Sequence, residues 1–113
     1  MLDLVIALLL SPAPPSGVAG QIFLGPVCPV ERLDSPCPDR PYQATLVIRL
    51  TNGRDVARVR ADTSGRFQFA LKPGTYVLHP LSERVMPRGI DQTVTVKPNS
   101  YTTVRVEYDS GIR

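Results

Sequence analysis

Cys28 and Cys37 are the only cysteines in the 113-residue chain, and each is followed by proline in the run Cys-Pro-Val-Glu-Arg-Leu-Asp-Ser-Pro-Cys-Pro. A thiol pair can hold a metal, shuttle electrons or form a crosslink. Zinc in a structural site wants four nitrogen or sulfur ligands, and His79 is the only histidine available to add to the two thiols. A redox pair is expected as Cys-x-x-Cys at a helix start, which this spacing is not. The pair therefore reads as a structural disulfide closing a surface loop, which stabilises the fold by about 2–3 kcal/mol through restriction of the unfolded chain. His79 itself falls on the outward parity beside Val77. No serine lies in a nucleophile-elbow pattern, and no second histidine is present to activate one. Asp62 could ligate calcium, but the Asp62-Thr-Ser-Gly run has no further carboxylates at the spacing a hard cation needs, so its role is to stabilise its own turn. Arg49, Arg58 and Arg60 share outward parity on neighbouring segments and form a candidate basic strip. Two readings of the strip stay open: a solvated sheet face balanced by Asp55 or Glu107, or a surface that binds an acidic glycan or a partner chain. No catalytic residue, metal ligand set or cofactor site is assigned.

These residues must be positioned by short strands. From Asp62 to Leu78 two turn signals bracket one alternating run: Asp62, Ser64 and Gly65 form the first turn and Pro73-Gly74 the second. Between them Phe67, Phe69 and Leu71 occupy one face at period two, and Arg66, Gln68 and Ala70 the other. The same alternation places Val18, Gly20, Ile22 and Leu24 inward on a first strand. It places Ala44, Leu46, Ile48 and Leu50 inward, and Thr45, Val47 and Arg49 outward, on a second, which ends at the hairpin signal Thr51-Asn52-Gly53. Val56 to Ala61 returns; Arg66 to Leu71 and Thr75 to Pro80 follow. A loop from Leu81 to Gly89 leads to Gln92 to Lys97, and Tyr101 to Tyr108 closes the chain with Val104, Val106 and Tyr108 inward. Seven short strands with polar outer faces predict an all-β antiparallel sandwich. The 12 prolines and 8 glycines fit that class and count against a helical bundle.

At this length, with 42% apolar residues, the chain can bury one core. The net charge of +3 is mild, and 11 of the 13 basic residues are arginine, a bias that genome composition explains, so nucleic acid is not expected as a partner. Leu4 to Leu10 is an unbroken apolar run followed by Ser-Pro-Ala-Pro-Pro-Ser-Gly, like the apolar region and tail of a secretory signal, and too short for a bilayer span of about 20 residues. Met1-Leu2-Asp3 lacks the usual basic residues, which leaves open a start further upstream or a disordered tail. The expected organisation is a signal-like apolar segment with a proline-rich tail over 1–16 and a β-sandwich domain over 17–113. With the disulfide, this predicts a secreted or cell-envelope protein without a stable membrane span.

Gly17-Val-Ala-Gly-Gln-Ile, Ala44-Thr-Leu-Val-Ile, Asp62-Thr-Ser-Gly-Arg-Phe-Gln-Phe, Lys72-Pro-Gly-Thr-Tyr-Val-Leu and the closing valine strands together resemble the carboxypeptidase-regulatory-like domains of bacteria. Those domains belong to the broader prealbumin-like group, which includes the collagen-adhesin B-type repeats, and the resemblance covers about residues 17–109. It implies a seven-stranded antiparallel Greek-key β-sandwich and leaves function open, because the group contains stalk modules and peptidase accessory domains alike. Activities found on similar folds do not fit these residues. The hydroxyisourate hydrolases use several histidines and end in Tyr-Arg-Gly-Ser, whereas this chain ends Tyr108-Asp-Ser-Gly-Ile-Arg113. Intradiol dioxygenases hold iron with two tyrosines and two histidines, which one His79 does not supply. The lysine-to-asparagine crosslink of adhesin repeats needs a first-strand lysine, and the only lysines are Lys72 and Lys97. The function expected is a non-enzymatic module with a structural or recognition role at the cell surface, with a cell-wall glycan or a protein as partner. The alternative is a carbohydrate- or peptide-binding domain that uses the disulfide loop and the loop from Leu81 to Gly89. The absence of tryptophan counts mildly against sugar stacking.

Overall fold

A computed structural model describes residues 16–28 and 37–112. The expected segment 1–16 therefore lies outside the described residues except for Ser16, as does the interior of the disulfide loop. No helix among the described residues is long and apolar enough to cross a membrane.

Nine strands are present among the described residues: β1 (Gly17–Gly25), β2 (Arg40–Pro41), β3 (Thr45–Leu50), β4 (Asp55–Arg60), β5 (Arg66–Ala70), β6 (Gly74–Pro80), β7 (Arg88–Gly89), β8 (Gln92–Val96) and β9 (Tyr101–Asp109). Seven of them match the strands that alternation predicts. β2 and β7 correct the expected count, and at two residues each they are too short to show a period. One sheet has the order β4-β3-β6-β8; in the other, β1 lies beside β9, β9 beside β7, and β2 and β5 share the far edge of β1. The expectation of a wholly antiparallel sandwich is corrected at β1 and β9, which pair in parallel from Gly17↔Tyr101 to Gly25↔Asp109. No tight turn joins these two strands, so nothing local imposes an antiparallel direction on them.

The facing inferred from parity holds through most of the core. Val18, Ile22, Leu46, Ile48, Leu78 and Val106 are fully buried, with Phe67, Leu71, Val94, Val96 and Tyr108 packed among them. Gly20 sits opposite Phe67 and leaves room for its ring; a Cβ there would lie 3.2 Å from the ring and only 1.8 Å from the Val104 carbonyl. Val47 departs from the expectation. It lies on the outer face, outside the core cluster, and is nevertheless fully buried. Its register partners are Arg58 on β4 and His79 on β6, and long side chains of this kind cover an apolar neighbour with their stems while their polar ends stay wet.

The Asp62–Gly65 and Asn52-Gly53 turns form, whereas at the predicted Pro73-Gly74 turn Pro73 is a bend and Gly74 already begins β6. The Asp62 carboxylate accepts hydrogen bonds from the Ser64 and Arg66 amides at 2.9 Å each, so it serves its own turn. Gly65 has φ 77° and accepts the Ile22 amide at 2.8 Å, pinning the turn onto β1. Gly53 in the β3–β4 hairpin has φ 90°. Ser16 anchors the start of the fold: its hydroxyl donates to the Leu71 carbonyl at 2.6 Å and its carbonyl accepts the Leu71 amide.

Candidate functional site

Cys28 and Cys37 are disulfide-bonded, with their Cα atoms 6.1 Å apart. The bridge closes the segment between β1 and β2. Next to it, Arg105 of β9 lies 3.8 Å over the Phe23 ring and bonds Asp39 at 3.2 Å and Glu107 at 3.0 Å. Glu107 is thus engaged on the other sheet and does not balance the arginine strip. The chemistry of this corner is that of a staple: a covalent bond and the Arg105–Asp39 ion pair fix the segment that leads into β2, and the cation–π contact ties β9 to β1.

Arg49, Arg58 and Arg60 do share the outer face of the β4-β3-β6-β8 sheet, but their side chains have different commitments. Arg49 pairs with Asp55 at 2.7 Å. Among the described residues Arg60 bonds only a neutral group, the Thr45 hydroxyl, at 3.3 Å. Arg58 has no hydrogen bond or ion pair among the described residues. The strip is neutralised at its Arg49 end and most positive toward Arg60. His79 is on the same face, half-buried, with Nδ1 2.7 Å from the Asp91 carboxylate. No nucleophile is bonded to that pair, and no group of three His, Cys, Asp or Glu side chains suited to a metal occurs among the described residues.

Arg60 also lines a cavity of about 300 Å³ at the end of the sandwich, beneath the start of the Leu81–Gly89 loop. Local bonds hold the loop in place. The Leu81 amide donates to the Thr45 carbonyl at 2.9 Å, the Leu81 carbonyl accepts the Tyr108 hydroxyl at 2.5 Å, and the Gly89 amide donates to the Ser82 hydroxyl at 2.9 Å. Tyr42 and Tyr108 form the inner wall, with ring centroids 5.0 Å apart in a tilted pair. Burial pushes the Tyr108 phenol well above its ordinary pKa, and the neighbouring Tyr42 and the Glu83 carboxylate push it further in the same direction, so it stays a neutral donor to Leu81. Glu83 and Arg84 come from the loop, Thr45 and Arg60 from paired positions on β3 and β4. At the loop tip Val85 is 85% exposed.

Sequence reasoning identified the loop and Arg60 separately, as alternative surfaces. It did not find that they meet, nor that Tyr42, Gln43 and Thr45 complete the wall. The only signal available was the position of Tyr42 and Tyr108 at the ends of their strands, where a large ring can line an end opening as well as fill a core.

No family model matches the chain, and no curated protein matches it. Among solved structures, the minor pilin GBS52 of the gram-positive pathogen Streptococcus agalactiae is similar over 87% of this chain and 46% of its own, with a TM-score of 0.64 at 15% identity. The TIE protein of Bacillus anthracis is similar over 85% of this chain and 18% of its own, with a TM-score of 0.54 at 17% identity. The likeness is one of fold. This chain spans less than half the length of either protein.

Proposed function

We propose that the chain is a non-enzymatic, extracytoplasmic β-sandwich module with a structural or recognition role at the cell surface. The observation that carries the reading is the Cys28–Cys37 disulfide, because such bonds persist in oxidising compartments and contribute most in small exported domains. The fold-level likeness to a minor pilin supports it, as does the resemblance to the bacterial carboxypeptidase-regulatory-like domains and their prealbumin-like group. The polar groups support a surface module over an enzyme: the His79–Asp91 pair has no nucleophile bonded to it among the described residues, and the buried phenol is committed to a backbone carbonyl.

The test uses the two lysines, Lys72 and Lys97, both exposed. Treating intact cells with an amine reagent that does not cross membranes should modify both at the level seen in the purified protein. Modification only after lysis would place the chain inside the cell and end the proposal.

A further inference from the structure

The end cavity brings together polar groups that the fold leaves uncommitted. Arg84 has no hydrogen bond or ion pair among the described residues, and Arg60 touches only the neutral Thr45 hydroxyl. Both guanidinium groups are exposed at the cavity mouth, where their planar donors can match a carboxylate or phosphate in pairs. Among the described residues that line the cavity the one acidic side chain is Glu83, which makes no ion pair with either arginine. The described lining therefore carries two positive charges against one negative, and neither cation has an acidic partner among the described residues.

The remaining groups narrow the ligand. Gln43 donates its amide to the Ala61 carbonyl at 2.9 Å, which leaves its side-chain oxygen as an acceptor. Ser82 accepts the Gly89 amide, which leaves its hydroxyl proton to donate. The site thus offers cationic donors for one acid group, together with neutral donors and the acceptors Gln43 and Glu83 for several hydroxyls. Polar side chains make up much of the lining, and of its aromatic wall Tyr108 is only 2% exposed while Tyr42 is partly exposed. A cavity of about 300 Å³ lies at the small end of the range for ligand sites and has room for one sugar ring. We propose that it binds a uronic acid unit of an acidic polysaccharide, with Arg60 and Arg84 on the carboxylate and Glu83 and Gln43 accepting from ring hydroxyls. The inference rests on the surface-module reading and gives it a ligand class.

The experiment is a titration of the full chain, followed by amide chemical shifts, with galacturonate and glucuronate oligomers. The comparison ligands are the methyl esters of the same oligomers, a neutral hexose oligomer and a short peptide with a free C-terminal carboxylate. The expected result is saturable movement of the amides around Thr45, Leu81 and Arg84 with the uronates, and at least about tenfold weaker binding of the methyl esters. Arg84→Gln and Arg60→Gln should each weaken uronate binding by about tenfold or more, while Arg58→Gln, on the same face outside the cavity, leaves it within about twofold. Arg84 sits on an exposed loop with no bond to the fold, so its substitution keeps the protein folded. Esters binding as well as acids, the peptide binding as tightly as the uronates, Arg58→Gln acting as strongly as Arg84→Gln, or no movement of these amides would each overturn the proposal. If uronates fail while Lys72 and Lys97 are labelled on intact cells, the cavity assignment falls and the surface module stands.

Discussion

Replacing Gly65 with alanine separates two costs that the fold imposes on this turn. The first is conformational: φ is 77°, where a residue with a Cβ is disfavoured by about 1 kcal/mol. The second is steric. A Cβ at Gly65 would lie 2.6 Å from the Ile22 carbonyl oxygen and 2.9 Å from that of Tyr42, backbone atoms of segments held by their own ladder bonds. Forcing such a contact in a packed region costs about 1–3 kcal/mol, so Gly65→Ala should destabilise by about 2–4 kcal/mol in all. Gly53 provides the control: its φ is 90°, but nothing lies within 4 Å of the added Cβ, so Gly53→Ala should lose only the conformational part, about 1 kcal/mol. Urea denaturation of both variants beside the parent reads this directly. For a slope of about 1.5 kcal/mol per molar, the midpoint should fall by more than about 1 M for Gly65→Ala and by less for Gly53→Ala. Equal losses at the two glycines would refute the close approach of the Asp62–Gly65 turn to β1 and Tyr42.

Three further outcomes are expected. Phe67→Ala should cost about 3–5 kcal/mol because its ring is buried against Gly20, while Gln68→Ala, exposed on the opposite face, should stay within about 0.5 kcal/mol; the reverse order in the same urea assay would invert the facing of β5. The raised pKa of Tyr108 means that the folded state holds its proton more tightly than the unfolded state, so this contribution is complete below the ordinary phenol pKa of about 10 and is lost as pH rises beyond it. Thermal melts should therefore show a steeper loss of stability above that pH in the parent than in Tyr108→Phe. Replacing Arg49, Arg58 and Arg60 together with glutamine should lower salt-sensitive retention on an acidic polysaccharide, with Arg60→Gln accounting for most of the loss because Arg49 is already paired with Asp55 and Arg58 lies outside the cavity; retention unchanged in the triple variant would remove this face from binding.

Local chemistry was readable from the chain, and long-range placement was not. The Asp62–Gly65 and Asn52-Gly53 turns, the β5 alternation and the buried faces of β3, β6 and β9 follow from residue types over a few positions. The parallel β1–β9 ladder joins residues more than eighty positions apart, and no turn signal reports it. β2 and β7 form because neighbouring strands offer them an edge, an effect of tertiary context on stretches with little strand character. Val47 was legible in its face but not in its burial, which arises from cross-strand neighbours. The cavity was hidden for the same reason. Arg60 and the Leu81–Gly89 loop are each visible as polar sequence, and long-range bonds such as that from the Leu81 amide to the Thr45 carbonyl bring them to one place.

The central claim, a disulfide-stapled module working outside the cytoplasm, is tested most directly by peptide mapping of the native protein under non-reducing conditions. The protein should be recovered from the cell exterior or envelope, alkylated at once to trap any thiols, and digested without reductant. The account predicts one crosslinked species joining the Cys28 and Cys37 peptides within a single chain, at near-complete occupancy. Two alkylated cysteines, or a bridge between chains, would contradict it.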